Sequence, residues 1–122
     1  VLDTAKQAWA KTIRTGKGPG HAALSPDGSQ FFVVHHNDGV VTVIDAARLE
    51  AVKNIRIGDG DKQAHAAWFT PDGKFFYAVA ASDKALVKID VAKMEVVSRM
   101  PVGGKSFFFA IKDGRSFPAT EY

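Results

Sequence analysis

Cysteine is absent from the 122 residues of the chain. Its absence removes disulfides, thiolate metal ligands, a thiol nucleophile and covalent haem attachment of the c type from this stretch of sequence. No apolar run approaches the roughly 20 residues that a membrane-spanning helix needs. Runs of like charge are also missing. The 16 Lys and Arg are interspersed with 13 Asp and Glu, for a formal charge of +3. Charge scattered in this way reads as a solvated surface, and without a basic stripe a nucleic-acid partner is not expected. No leader-like segment is present and the first residue is Val1, so the N-terminus is expected to be processed, trimmed or cut from something longer. Apolar side chains make up 46% of the residues against 24% charged, enough to build a core and to argue against disorder. The length fits one domain.

The sequence repeats itself. Ser25-Pro26-Asp27-Gly28 returns as Thr70-Pro71-Asp72-Gly73, Ile44-Asp45 as Ile89-Asp90, and Ile55 to Gly58 as Met100 to Gly103, all at an offset of 45. Leu2-Asp3 and Ile13 to Gly16 match the first of these repeats at an offset of 42, and Lys112-Asp113-Gly114 matches the second at 41. One Pro-Asp-Gly would indicate only a turn, but several anchors sharing one offset indicate a repeated unit.

Each unit contains four strand-like runs. Ala22–Leu24 (or Ala66–Phe69) is followed by the Pro-Asp-Gly turn, in which Pro fixes φ, Asp bonds its own backbone and Gly accepts positive φ. Phe31–Val34 (or Phe75–Val79) leads to a polar turn, then Val40–Ile44 (or Leu86–Ile89), then Ala51–Ile57 (or Val96–Val102). β-branched and aromatic residues dominate these runs. Four strands in roughly 40–45 residues is the period of a β-propeller blade, so the expected fold class is all-β. The three-residue spacing of Ala46, Leu49, Val52 and Ile55 offers a competing helical reading and an α/β fold. The propeller is preferred because Asp45 and Asp90 read as ends of the third strands, with a short loop to the fourth.

These residues resemble the YVTN family of bacterial and archaeal β-propellers. Its blades run from Pro-Asp-Gly through an aromatic strand and Val-x-Val-Ile-Asp to an apolar strand ending Val-Gly. Here the pattern stands as Pro26-Asp27-Gly28, Val41-Thr42-Val43-Ile44-Asp45 and Ile57-Gly58, and again as Pro71-Asp72-Gly73, Val87-Lys88-Ile89-Asp90 and Val102-Gly103. The signature Tyr-Val-Thr-Asn is replaced by Phe32-Val33-Val34-His35 and Tyr77-Ala78-Val79-Ala80, so its Asn is missing from both units. Pro118 falls where Phe32 lies, which implies a distorted or terminating last blade. His21-Ala22-Ala23-Leu24-Ser25-Pro26-Asp27-Gly28 is further similar to blades of the haem-carrying propeller domain of cytochrome-type nitrite reductases and its maturation relatives. That resemblance implies a periplasmic or extracellular setting and a haem-binding or electron-transfer role.

The phase of the repeat divides the chain into a half blade (1–16), two blades (21–58 and 65–103) and another half blade (105–122). Together they make about three blade equivalents. Propeller rings typically hold about four to eight blades. The chain is therefore expected to be a fragment of a longer propeller, or to complete its ring by self-association or with a protein partner.

Four histidines are the candidates for chemistry. His21 and His65 precede the innermost strand of consecutive blades, and His35-His36 end the second strand of the first blade. Because strands alternate in direction, these positions are expected on one rim, with Asp38, Asp59, Asp61, Asp83 and Glu121. Imidazoles and carboxylates there could bind a ligand through His21, His35, His36, His65, Asp38 and Asp61. They could also take a transition metal or haem iron, with His21 and His65 as first ligands. The plainer reading makes them packing residues, and no i, i+4 or His-x-His motif is present. Gly16-Lys17-Gly18-Pro19-Gly20 is glycine-rich but lacks the Gly-Lys-Ser/Thr ending of a phosphate loop and leads into a strand. Trp9, Trp68 and Phe107 to Phe109 are expected to pack in the core. Two functional classes follow: a binding module with a His/Asp-rich rim, not itself an enzyme, or an oxidoreductase-type, haem-handling propeller.

Overall fold

The structure, a computed structural model, describes residues 1–59, 66–104, 109–112 and 115–118, the last two stretches in backbone course only. The four-stranded unit read from the repeat is present twice. The first blade runs β3 (Pro19–Leu24), β4 (Gln30–His35), β5 (Val40–Asp45) and β6 (Glu50–Arg56). The second runs β7 (Ala67–Phe69), β8 (Phe75–Ala80), β9 (Ala85–Asp90) and β10 (Glu95–Pro101). In both, each strand pairs antiparallel with its neighbour in sequence. Two short hairpins flank them, β1 (Leu2–Asp3) with β2 (Ala8–Trp9) and β11 (Phe109–Lys112) with β12 (Arg115–Pro118). Pro118 sits at the end of β12, opposite Phe109, where a missing donor disturbs the ladder least.

The 46–49 stretch is a turn, and the helical alternative is not realised. Asp45 Oδ1 accepts the Arg48 N–H at 2.8 Å, and its main-chain carbonyl accepts the Leu49 N–H at 2.9 Å. Asp3 and Asp90 do the same for Lys6 and Lys93, at 3.0 Å each. The residue after the cation then takes positive φ in all three turns: Gln7 at 49°, Leu49 at 54° and Met94 at 53°. These positions keep the offsets of 42 and 45, although Gln, Leu and Met share no chemistry.

The Pro-Asp-Gly turns are also built alike. Ser25 Oγ donates to Asp27 Oδ1 at 2.6 Å and accepts the Gln30 N–H at 3.0 Å. Thr70 Oγ1 donates to Asp72 Oδ1 at 2.6 Å and accepts the Phe75 N–H at 3.1 Å. Gly28 and Gly73 close the turns at φ 75° and 70°, a region that costs other residues about 1–2 kcal/mol. The Ser25 hydroxyl and the Ser29 N–H and hydroxyl hold the Asp27 carboxyl down at about 2. The Thr70 hydroxyl and the Lys74 N–H lower that of Asp72.

The core lies between the two blades. β alternation sends Phe32, Val34, Val41 and Val43 to one face of the first blade, against Phe76, Ala78, Val87 and Ile89 from the second. Phe32 meets Phe76 and Phe69 with ring centroids 4.9 and 5.0 Å apart. Burying one such side chain contributes about 1.5–3 kcal/mol, and a well-oriented aromatic pair about 0.5–1.5 more. The far face of the second blade holds a smaller cluster of Ala66, Tyr77, Val79, Ala81 and Leu86. The two tryptophans are not in the core: Trp9 is 81% exposed and Trp68 46%. Trp9 lies on the two-stranded β1–β2 hairpin, and Trp68 on the innermost strand of its sheet. Phe107 and Phe108, and the side chain of Phe109, lie outside the described residues.

Candidate functional site

The rim opposite the Pro-Asp-Gly turns carries the histidines. β4 ends there on His35, the chain turns through His36-Asn37-Asp38-Gly39, and β5 starts at Val40. The end of β6 joins this rim, because the Gly39 carbonyl accepts the N–H groups of Ile57 and Gly58 at 2.7 and 3.2 Å. In the second blade a 3-10 turn, Ala81–Asp83, occupies the same place. His36 and Asp38 lie in the β4–β5 turn with His35 at its start, and Asp83 ends the corresponding turn of the second blade. His65, Asp61 and Glu121 lie outside the described residues.

His21 differs slightly from expectation. It sits on β3 as its third residue, opposite Val34, because the strand begins earlier, at Pro19. The imidazole is half-buried and meets Trp68 edge to face, with ring centroids 5.2 Å apart. These two residues come from the innermost strands of adjacent blades, and Trp68 keeps nearly half of its surface open.

His35 is fully buried, at 0% exposure. Its Nδ1 lies 3.1 Å from the Val40 carbonyl oxygen. A carbonyl can only accept, so in the neutral ring Nδ1 carries the proton and Nε2 carries the lone pair. That Nε2 is buried with no hydrogen-bond partner among the described residues. A buried acceptor left unmade costs about 1–3 kcal/mol, so the fold alone supplies no reason for an imidazole here. His36 packs against Gly20, where a side chain would meet its ring.

Asp38 has a structural explanation. Its carboxylate lies against Gly16, 3.1 Å from where a Cβ would be, and Asp83 lies against Gly58 at 2.9 Å in the same sense. Gly16 and Gly58 are repeat equivalents, as are Asp38 and Asp83. Each blade's turn aspartate therefore occupies the space above the glycine that ends the preceding blade. That contact accounts for the strand-terminal glycine of the repeat. Asp83 also pairs with Arg99 at 3.5 Å.

Among the described residues, no three His, Asp or Glu side chains come together as a metal site. His35 is covered and His21 faces Trp68, so they do not form a joint ligand set. The described residues offer one half-buried imidazole beside an indole, and a second, fully buried imidazole at the end of β4. Spacing alone missed Trp68 as a partly exposed neighbour of His21. Its place in the first strand of the unit, where Ala23 stands one repeat earlier, was the available signal.

A groove of about 600 Å³ lies at the opposite rim, between the two Pro-Asp-Gly turns and the 91–94 turn. Its carboxylates, Asp27 and Asp72, are engaged in their own turns. Among the described residues no helix is long and apolar enough to cross a membrane.

No family model matches the chain, and no curated protein matches it in sequence. Solved structures do match. Hydrazine synthase from Kuenenia stuttgartiensis is 28% identical with a TM-score of 0.75, covering 84% of this chain and 29% of that one. The dihydro-heme d1 dehydrogenase NirN, in complex with DHE, is 20% identical with a TM-score of 0.77, covering 93% and 26%. The β-propeller domain of Cps50 (Swd1) from Myceliophteria thermophila is 10% identical with a TM-score of 0.66, covering 77% and 29%. The chain spans less than a third of each of these chains. With two four-stranded meander sheets packed face to face and neighbours of this kind, the chain is a run of β-propeller blades.

Proposed function

We propose that this chain is a segment of a β-propeller of the YVTN type whose histidine rim binds a ligand or a protein partner. The observation that carries this reading is the repeat itself. His35-His36 in the first blade occupy the places of Ala80-Ala81 in the second. Alanine satisfies the fold at that point, yet the first blade holds a buried imidazole with an unmet acceptor. Groups that a fold does not require, gathered on one rim, are what a binding site adds to a scaffold.

A haem-handling propeller is the second reading. It is supported by the likeness to NirN, solved with DHE, and to hydrazine synthase, together with the blade motif beginning at His21. His21 and Trp68, in edge-to-face contact, are the described residues that would hold such a group, His21 as a candidate ligand and Trp68 as an aromatic contact. The group itself would supply the redox chemistry. The periplasmic or extracellular setting belongs to this second reading. The candidate pair of His21 and His65 as first metal ligands stands with it.

Further blades, from the same polypeptide or from another copy, complete the ring. Leu2 supports this. Its equivalents Ile44 and Ile89 are 6% and 0% exposed behind neighbouring blades, whereas Leu2 is 52% exposed. Sedimentation of the 122-residue chain as a compact monomer would rule out self-association.

Spectral titration with ferric haem and calorimetric titration with Zn²⁺ test the binding reading, each on the parent chain and on a His21→Ala/His36→Ala variant. Saturable binding of one probe, weakened at least about tenfold in the variant, is expected; about 1.4 kcal/mol corresponds to that factor. A Soret shift would favour the haem reading over a plain metal site. Failure of both probes to bind would contradict a metal or haem site at this rim.

A further inference from the structure

The glycine-rich stretch Gly16 to Gly20 has no place in the function proposed above, and it is not a phosphate loop. In the structure it crosses the end of the first blade and interlocks with the histidine turn. Gly16 lies on the His35 ring, 3.1 Å from Cγ to where a Cβ would be, and against Val40 at 2.9 Å. A Cβ on Gly18 would stand 2.7 Å from the Asn37 amide nitrogen, and one on Gly20 would meet the His36 ring. The glycines are there because the side chains of the turn fill the space that their own would need.

The stretch enters β3 at Pro19, which pairs with His35, and ahead of it is held to the turn by main-chain bonds. Its main-chain carbonyls accept from His36 N–H at 2.7 Å (Gly18) and Asn37 N–H at 3.3 Å (Lys17). The Lys17 N–H donates to Asp38 at 3.4 Å. The β3–β4 ladder changes register between Pro19 and His21, which leaves a bulge at Gly20 where the strap joins the sheet. Segments with few buried apolar contacts and a break in the ladder open locally at far lower cost than the core. Beneath Gly16 lies the His35 ring, fully buried, whose Nδ1 faces the Val40 carbonyl and whose Nε2 has no hydrogen-bond partner among the described residues.

We propose that Gly16 to Gly20 is a strap that lifts from the rim and, in lifting, uncovers the His35 imidazole as a donor to a bound ligand. The proposal rests on reading this rim as a binding face. In the second blade Gly58 lies on Ala80 in the same sense, 3.7 Å from its Cβ, so the glycine cover belongs to the repeat and the imidazole beneath it is what the first blade adds.

Acylation of histidines by diethyl pyrocarbonate, mapped by peptide mass spectrometry, reads the strap directly. The reagent attacks an accessible neutral imidazole nitrogen and requires no ligand, so this test can fail or succeed independently of the ligand titrations. In the parent chain His21 should react at least about tenfold faster than His35. Gly16→Val, which pushes the strap off Val40 and His35, should raise the His35 rate at least tenfold. Hydrogen exchange at Val34 and Val41 should remain slow, which excludes global unfolding. Should that variant fail to fold, Asp38→Ala removes the Lys17 anchor and should raise the His35 rate in the same direction. The proposal is overturned if His35 in the parent chain reacts as fast as His21. It is also overturned if His35 stays protected in a folded variant whose 16–20 amides exchange freely.

Discussion

The two complete blades can be superposed residue by residue at an offset of 45, and they agree at one rim and differ at the other. At the Pro-Asp-Gly rim, Ser25 and Thr70 make the same pair of hydrogen bonds, to Asp27 and Gln30 in one blade and to Asp72 and Phe75 in the other. At the opposite rim, both blades keep the aspartate that covers the preceding glycine, but His35-His36-Asn37 in the first stands where the second has Ala80-Ala81-Ser82. What repeats belongs to the blade, and what does not repeat has been placed there for another reason. The same comparison gives Asp38 a structural role, since Asp83 makes the equivalent contact in the second blade, whose corresponding turn has no histidine.

The largest test of this equivalence lies between the blades. Phe32→Ala and Phe76→Ala should each cost about 3–5 kcal/mol in chemical unfolding, as large-to-small changes in a packed core do. Because the two rings touch, the double variant should cost clearly less than the sum. Additive losses would mean that the interface is not one packed unit.

A smaller and more pointed test uses the turn hydroxyls. Ser25→Ala and Thr70→Val should each cost about 1–2 kcal/mol, by leaving a main-chain N–H and a carboxylate without their partner. The two losses should match within about 0.5 kcal/mol. A large difference would break the equivalence of the blades at the rim where it is strictest.

Acid provides the third comparison. The carboxyl of Asp27 is held at about 2, below its ordinary 3.8, and that of Asp72 is lowered too. A carboxyl whose folded value is depressed stabilises the fold above its unfolded value, and that contribution is lost as pH falls toward the folded value. Stability should therefore decline between about pH 4 and pH 2. Asp27→Asn and Asp72→Asn should each flatten that decline, Asp27→Asn over the wider range. A pH profile unchanged by either variant would contradict the turn geometry.

The smallest effect is expected at the strand-end ion pairs. Arg48 reaches Asp45 at 3.2 Å and Lys93 reaches Asp90 at 3.9 Å, both cations well exposed. Exposed pairs of this kind contribute little, and the aspartates spend their capping capacity on main-chain N–H groups. Arg48→Ala and Lys93→Ala should leave the unfolding midpoint unchanged within error.

Most of the architecture was legible before any coordinates. Pro-Asp-Gly, Ile-Asp and the strand-final glycine carry local backbone chemistry, so their common offset translated directly into strands, turns and blade boundaries. The strand ends lie within one or two residues of the expected ones except at β3, which takes in Pro19 and Gly20 ahead of the start expected at Ala22. The positive φ of Gln7, Leu49 and Met94 was invisible, because the turn is imposed by the aspartate four residues earlier rather than by the residue that bends. The site was legible only in outline. Strand alternation placed the histidine turn on one rim. It did not show that His35 points inward under a glycine strap while Trp68, expected in the core, comes out beside His21. Those facts depend on which face of a sheet meets its neighbour, and a repeat read along one chain leaves that open.

One variant tests the central claim, that the first blade's histidine turn is an addition to a scaffold that does not need it. His35→Ala/His36→Ala/Asn37→Ser gives the first blade the turn of the second. It leaves Gly39 in place, because the Gly58 carbonyl fills the space a Cβ would need there. Thermal unfolding and titration with ferric haem and Zn²⁺ should be measured on the same preparation. The account predicts a cooperative transition lowered by no more than about 10 °C, equivalent to about 1–2 kcal/mol for a domain of this size, with loss of whichever probe the parent chain binds. A variant that unfolds, or one that binds the probe as tightly as the parent chain, would contradict it.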